Sequence, residues 1–321
     1  MHDFKQIENL VFEGSSIKGY VYVQVLREIV KKYPGFLINI KRYAGTSSGS
    51  MFAVLLCMQH NIDEIDDILV EISHMDLFQK KRCKFYNFVA NIYSLYKQYG
   101  IYDIYPLERF VRYIIKKQWY KLTGVDEDPT FKKIYEFLDK ELILTSTNMN
   151  TNELVYFSHK LTPNVPIYKA VVSSSCIPGI FKPLRYNFNP DLPKRNNVYL
   201  MDGGIILNYP IFVFDHDDPH EAFRSRHYND KTLGFLIQTK DDDLFNQKQL
   251  HKKITGLKTF VSNTINIVSK QLEKKIIKRE DWSRTVQIFV KNYSSSDIVL
   301  TENIRKELND AAIKSISMVI I

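Results

Sequence analysis

The feature that most constrains this chain is a pair of successive strand–loop–helix units near its start, each with small residues at the junction. Asn9 to Phe12 is a short apolar run and a small-residue loop follows it. Tyr20 to Lys32 then carries apolar residues at Val21, Val25, Leu26 and Ile29, the spacing of one helix face. The second unit has a strand-like run within Phe36 to Ala44, a tight turn over Gly45 to Gly49 and a buried apolar helix over Ser50 to Gln59. Strands that alternate with helices pair in parallel, because a crossover of helix length is needed to return the chain to the same sheet. The expected fold is α/β, a mainly parallel sheet covered by helices.

The rest of the 321 residues extends this pattern without an internal repeat. Ile62 to Ser73 reads as helix. Lys84 to Trp119 is aromatic-rich at helical spacing, interrupted at Gly100 and Pro106, so a helical cap is expected over about residues 75–125. Helices are predicted over Thr130 to Leu138 and Pro166 to Ser175. Strands are predicted at Leu142 to Thr147, Leu154 to Phe157, Tyr199 to Met201, Leu233 to Gln238 and Val286 to Val290, and a last helix starts at the Thr301 cap. The expected organisation is a catalytic core over residues 8–215, with residues 216–321 supplying further strands and helices packed on that core.

A formal net charge of +8 favours anionic partners. Basic residues gather at Lys80, Lys81, Arg82 and Lys84, and again at Lys270, Lys274, Lys275, Lys278 and Arg279, as solvated helix faces or a membrane-facing patch. No nucleic-acid-binding motif accompanies them, so nucleic acid is not an expected partner. Cys57, Cys83 and Cys176 have neither disulfide nor zinc spacing, which fits a reducing compartment. The polar start, Met1 to Glu8, is not an ordinary secretory signal, and the apolar run Met51 to Met58 is too short to span a bilayer. The expectation is a cytoplasmic protein that meets membranes peripherally.

Three segments carry chemistry. Gly45-Thr46-Ser47-Ser48-Gly49 fits G-x-S-x-G between a predicted strand and a predicted helix, the setting of a nucleophile elbow. There Ser47 is lifted clear of the sheet, with backbone N–H groups near it; the plain alternative is a tight turn before a buried helix. A serine hydroxyl needs a base, and Asp202 in Asp202-Gly203-Gly204, directly after a strand end, is a candidate, although Asp-Gly-Gly by itself is most often a turn. The loop Glu13 to Gly19 can present N–H groups to an anion. It lacks the Gly-Lys-Ser/Thr ending of a phosphate-binding P-loop and has Ser16 where a dinucleotide fingerprint needs glycine.

In this order and spacing the three segments resemble the patatin-like phospholipase family. Gly14-Ser15-Ser16-Ile17-Lys18-Gly19 stands where that family has G-G-G-x-R/K-G, followed by Gly45-Thr46-Ser47-Ser48-Gly49 and by Asp202-Gly203-Gly204 for D-G-G. Leu144 to Thr151 is similar to its T-A-T-N-L-N-T strand and turn, and Val172 to Pro183 to its A-S-S-A-x-P-x-x-F-x-P segment. The resemblance implies a three-layer α/β/α fold and a lipid acyl hydrolase, of phospholipase A or lysophospholipase type, releasing fatty acid from a phospholipid or other lipid ester. It implies Ser47 as nucleophile, Asp202 as base without a histidine, the loop from Gly14 to Ser16 as oxyanion donor, Lys18 in the family's basic place near a headgroup or the loop backbone or in a structural role, Gly19 as the last glycine of the loop, and neither metal nor cofactor. An activating protein partner is left open.

Ser15 and Ser16 depart from the family's glycines, and a Cβ resists positive φ. One alternative is therefore a non-catalytic lipid- or protein-binding relic of this fold. A second is a Ser-Asp-His α/β-hydrolase, since His216, His220, His227 and His251 all follow Asp202. Against it, His216 to His220 reads as a polar surface loop, the plainer reading also against a two-histidine metal site.

Overall fold

Alternation of apolar side chains along the strands sets the architecture of the computed structural model, which describes residues 4–75, 93–189, 191–239, 264, 267–268, 271–272, 275–291 and 299–319. The strands are β1 (Asn9–Phe12), β2 (Arg42–Gly45), β3 (Gly100–Tyr102), β4 (Glu141–Asn148), β5 (Glu153–Phe157), β6 (Gly179–Phe181), β7 (Leu184–Tyr186), β8 (Val198–Asp202), β9 (Thr232–Thr239) and β10 (Thr285–Val290). The helices are α1 (Val21–Lys32), α2 (Ser48–Cys57), α3 (Ile62–His74), α4 (Tyr105–Thr123), α5 (Phe131–Leu138), α6 (Ile167–Ser174), α7 (Pro219–Arg224) and α8 (Glu302–Ser317). The main sheet runs β10-β9-β1-β2-β4-β8-β7, with β5 added to β4; β10 through β4 pair in parallel.

Successive strand residues face opposite sides. Leu10, Phe12, Tyr43, Leu142, Leu144, Leu233 and Phe235 enter a large core under α1, α2 and α6. Val11, Ala44, Ile143 and Leu236 enter a second core covered by the segment Leu207 to Phe214 and by Ala222 of α7. The sheet is buried on both faces, as parallel sheets are, giving a mixed α/β fold with a mainly parallel centre. β9 and β10, from the last third of the chain, lie beside β1. The helix α8 packs on α1, with the Thr301 hydroxyl accepting the Ile304 N–H at its start.

One detail of register positions the site. The first half of β4 pairs in parallel with β2, ending at Gly45 opposite Leu144. Its second half pairs antiparallel with β8, ending at Asp202 opposite Ser146. Because β5 occupies the other edge from Leu144 to Asn148, β2 and β8 share one edge and approach each other end to end. Their C-terminal ends converge two β4 residues apart, and so do whatever residues follow.

Within Phe36 to Ala44 the expected strand takes up only the end: Gly35 turns the chain in the left-handed region at φ 87°, Phe36–Asn39 forms a 3-10 turn, and extended pairing is confined to Arg42–Gly45, matched to the four residues of β1. One expectation is corrected. Pro106 does not interrupt a helix but lies in the first turn of α4, where its missing N–H has no helical partner to lose. Gly100 does break the helical run, opening β3 beside Phe181 of β6. The basic residues Lys80, Lys81, Arg82, Lys84, Lys270 and Lys274, together with Cys83, lie outside the described residues, as does much of the expected cap. Among the described residues no helix is long and apolar enough to cross a membrane.

Candidate active site

Ser47 sits between β2 and α2 at φ 53° and ψ −125°. A side-chain-bearing residue held at positive φ costs about 1–3 kcal/mol, so the surroundings must enforce it. They do so from both sides. The Ser47 N–H donates to Ser174 Oγ of α6 at 2.7 Å, and the Ser47 carbonyl accepts the Ser50 hydroxyl at 2.6 Å. The glycines flanking the turn serve close approach rather than positive φ: a Cβ on Gly49 would stand 2.5 Å from the Phe12 carbonyl oxygen at the end of β1. Gly45 faces Gly49 in the same way. Beneath the turn Phe12, Tyr22, Phe52 and Phe235 pack ring to ring, a floor that fixes where α2 begins.

The Ser47 hydroxyl donates to Asp202 Oδ2 at 2.7 Å. The other oxygen, Oδ1, accepts the Gly204 N–H at 2.7 Å, so Asp202 is held by the turn that Gly203 and Gly204 begin. Both side chains are buried, Ser47 8 % and Asp202 7 % exposed. Burial pushes the Asp202 carboxyl up to about 6, against the opposing pull of the Ser47 and Gly204 hydrogen bonds. An ionised carboxylate at neutral pH that binds protons far better than an exposed aspartate is suited to removing a hydroxyl proton.

The loop after β1 passes over Ser47. Ser15 is at φ −150° and Ser16 at φ 52°, so the positive φ that glycine would favour is taken by a serine, at a cost of about 1 kcal/mol. Gly14 must be glycine, since a Cβ there would lie 2.9 Å from Ser47 Cβ. Of the loop from Gly14 to Ser16, expected to donate N–H groups to an oxyanion, two N–H groups are already taken: the Gly14 N–H donates to the Asn208 carbonyl at 3.1 Å and the Ser15 N–H to Ser48 Oγ at 3.0 Å. The N–H groups of Ser16 and Ile17, at the start of the 3-10 turn Ser16–Tyr20, have no partner within that turn, and the same holds for Ser48 at the start of α2. Ser16, Ile17 and Ser48 line the same cavity as Ser47. Lys18 closes the loop through its N–H on the Ser15 carbonyl, and Gly19 packs against Ser48 Oγ.

Sequence reasoning missed four supports. Asn208 ties the loop to the segment after Asp202: its Nδ2 donates to Glu13 Oε1 at 2.9 Å and to the Gly14 carbonyl at 2.8 Å. Glu13 Oε2 accepts the Ile237 N–H from β9 at 2.6 Å. Thr46 gives its proton to the Leu207 carbonyl at 3.1 Å, so the 2.6 Å contact with Thr145 is donated by Thr145. Ser174 is the fourth, within the serine run Ser173 to Ser175.

Ser47 borders a cavity of about 150 Å³ lined largely by apolar side chains, among them Ile17, Met51, Leu69, Ile72, Leu107 and Phe181. Within the described part of the aromatic-rich stretch, residues 93–119, Leu107 lines this cavity, while Val111, Ile115 and Trp119 are core. Histidines stand elsewhere: His216 Nδ1 accepts the Asp218 N–H, and His220 meets the Tyr156 ring edge-on. None of the described histidines is bonded to Ser47 or Asp202, and His251 lies outside the described residues. Among the described residues no group of three or more His, Cys, Asp and Glu side chains is arranged to hold a metal.

Residues 10–215 match the family model described as patatin-like phospholipase. An uncharacterised protein, R571, of Acanthamoeba polyphaga mimivirus is 33% identical over 242 residues, 74% of this chain and 68% of that protein. The probable lipid hydrolase 463L of Invertebrate iridescent virus 6 is 25% identical over 211 residues, 65% of this chain and 63% of that protein. Among solved structures, VipD from Legionella pneumophila shares the fold, with a TM-score of 0.51 at 15% identity over 98% of this chain and 67% of its own. Matched over well more than half its length, the chain belongs to the patatin-like phospholipase family.

Proposed function

We propose that the protein hydrolyses lipid esters through a Ser47–Asp202 dyad, releasing fatty acid from a phospholipid or lysophospholipid. The observation that carries this reading is the 2.7 Å hydrogen bond from the Ser47 hydroxyl to a buried carboxylate whose proton affinity is raised to about 6. Ser47 Oγ attacks the ester carbonyl carbon while its proton passes to Asp202. Negative charge gathers on the carbonyl oxygen, and in this reading the N–H groups of Ser16, Ile17 and Ser48, which line the same cavity as Ser47, stabilise it. The tetrahedral intermediate collapses, Asp202 returns the proton to the departing alcohol, and an acyl group remains on Ser47. Asp202 then deprotonates a water that attacks the acyl-enzyme, and the fatty acid leaves with Ser47 restored.

The apolar cavity bordering Ser47 supports an acyl chain as the bound group. The positive φ at Ser16 supports an anion loop that adopts its turn despite the serines. The test is fatty-acid release from mixed phospholipid vesicles by the wild type and Ser47→Ala, side by side. Release by the wild type alone is expected. Equal release by both, or by neither, sets the dyad reading aside.

A further inference from the structure

The outward face of α4 carries a pattern that the site does not use. At about 100° per residue, Tyr105, Arg109, Tyr113, Lys116, Lys117 and Tyr120 fall within an arc of about 120°. The three tyrosines are 58%, 58% and 57% exposed, a large aromatic area to leave in water. The helix has a single carboxylate, Glu108, and it lies on the other flank, bound to Lys169 at 2.6 Å. Lys116 pairs with Asp126 at 3.0 Å. Arg109 and Lys117 instead lie over the rings of Tyr105 and Tyr113, at 5.8 and 5.7 Å from their centroids, and among the described residues no carboxylate pairs with them. Tyr96, 75% exposed with Lys97 over its ring, repeats the motif in the preceding helical turn.

We propose that this face of α4 is a docking surface for anionic phospholipid bilayers. Tyrosines settle at the headgroup level because one end of the ring is apolar and the other wet, and cations beside them meet the negative surface. The helix is a fixed platform. Its inner side is held by Gln118 Nε2 on the Met58 carbonyl at 2.8 Å and by buried Val111, Ile115 and Trp119. That same inner side supplies Leu107 to the cavity bordering Ser47. A bilayer against the outer face therefore lies about one helix diameter, roughly 10 Å, from the cavity wall. The choice of a lipid occupant over another polyanion rests on the lipid-hydrolase reading.

The test uses Ser47→Ala protein, so that vesicles stay intact, in co-sedimentation with phosphatidylcholine vesicles with and without phosphatidylserine. The parent is expected to bind the anionic vesicles and to release as salt rises. Arg109→Gln with Lys117→Gln weakens partitioning about 30-fold, from about fivefold per charge; Tyr113→Ser with Tyr120→Ser weakens it about tenfold. All these side chains are exposed, and an unchanged thermal midpoint certifies the fold of each variant. Anionic-vesicle binding equal to the parent in both double variants overturns the proposal, as does parent binding to duplex DNA as tight as to the vesicles. Because no hydrolysis is read, failure of fatty-acid release leaves this assay standing, and failure of docking leaves the dyad standing.

Discussion

Replacing Asp202 by asparagine should stabilise the protein, and should do so in a pH-dependent way. Burial raises the carboxyl from an ordinary 3.8 to about 6 in the folded state. A carboxyl raised on folding contributes stability that is fully present below the unfolded value and is lost as pH rises through the folded one. One pKa unit corresponds to about 1.4 kcal/mol, so the ionised Asp202 costs the fold about 3 kcal/mol at pH 7.5 and about 1 kcal/mol at pH 4.5. Asparagine cannot ionise, yet its oxygen still accepts the Gly204 N–H and its amide can donate to Ser47 Oγ. Urea denaturation of both proteins at the two pH values gives the difference directly. The gain from Asp202→Asn should be about 2 kcal/mol larger at pH 7.5 than at pH 4.5, with fatty-acid release abolished. A gain independent of pH, or larger at the lower pH, refutes the argument that a desolvated carboxylate sits at this position.

Activity should follow the same group: kcat/KM falls about tenfold per pH unit below about 6, and a pH–rate profile flat to pH 4.5 contradicts Asp202 as the base. Gly14→Ala forces a Cβ to within 2.9 Å of Ser47 Cβ and 2.5 Å of Asn208 Oδ1, and kcat should drop about 100-fold or more through the displaced loop. Asn208→Ala strips Glu13 Oε1 and the Gly14 carbonyl of their shared donor and should cost about 1–3 kcal/mol in urea unfolding along with a lower kcat. Alanine at His216, His220 or His227 should leave turnover nearly unchanged in the same fatty-acid assay, since none of them touches Ser47 or Asp202.

Local signals carried the reading of the fold where partners are near in sequence. The β1–α1 and β2–α2 units, the Thr301 cap and the strand at Thr232–Thr239 are set by periodicity and capping, and they were legible. Within Phe36 to Ala44 the presence of a strand was legible and its bounds were not, because apolar content alone does not reveal that Gly35 turns the chain and that β1 offers pairing for four residues. At the site, the motifs singled out Ser47 and Asp202, but the reason they meet is not local. It lies in β4 pairing with β2 along one half and β8 along the other. Ser174 and Asn208 were missed for the same cause: each acts on backbone groups 127 and 194 residues away, and neither has a spacing that announces it. The expected share of N–H donors in Gly14 to Ser16 failed at Gly14 and Ser15 because Asn208 and Ser48 claim those groups first.

The most direct test of the central claim is covalent trapping with a long-chain alkyl fluorophosphonate, read by intact mass and peptide mapping on wild type, Ser47→Ala and Asp202→Asn. The dyad predicts one adduct per wild-type chain, located on Ser47, none on Ser47→Ala, and labelling of Asp202→Asn slowed by about 100-fold or more. An adduct on another residue, or equal labelling of wild type and Asp202→Asn, contradicts it.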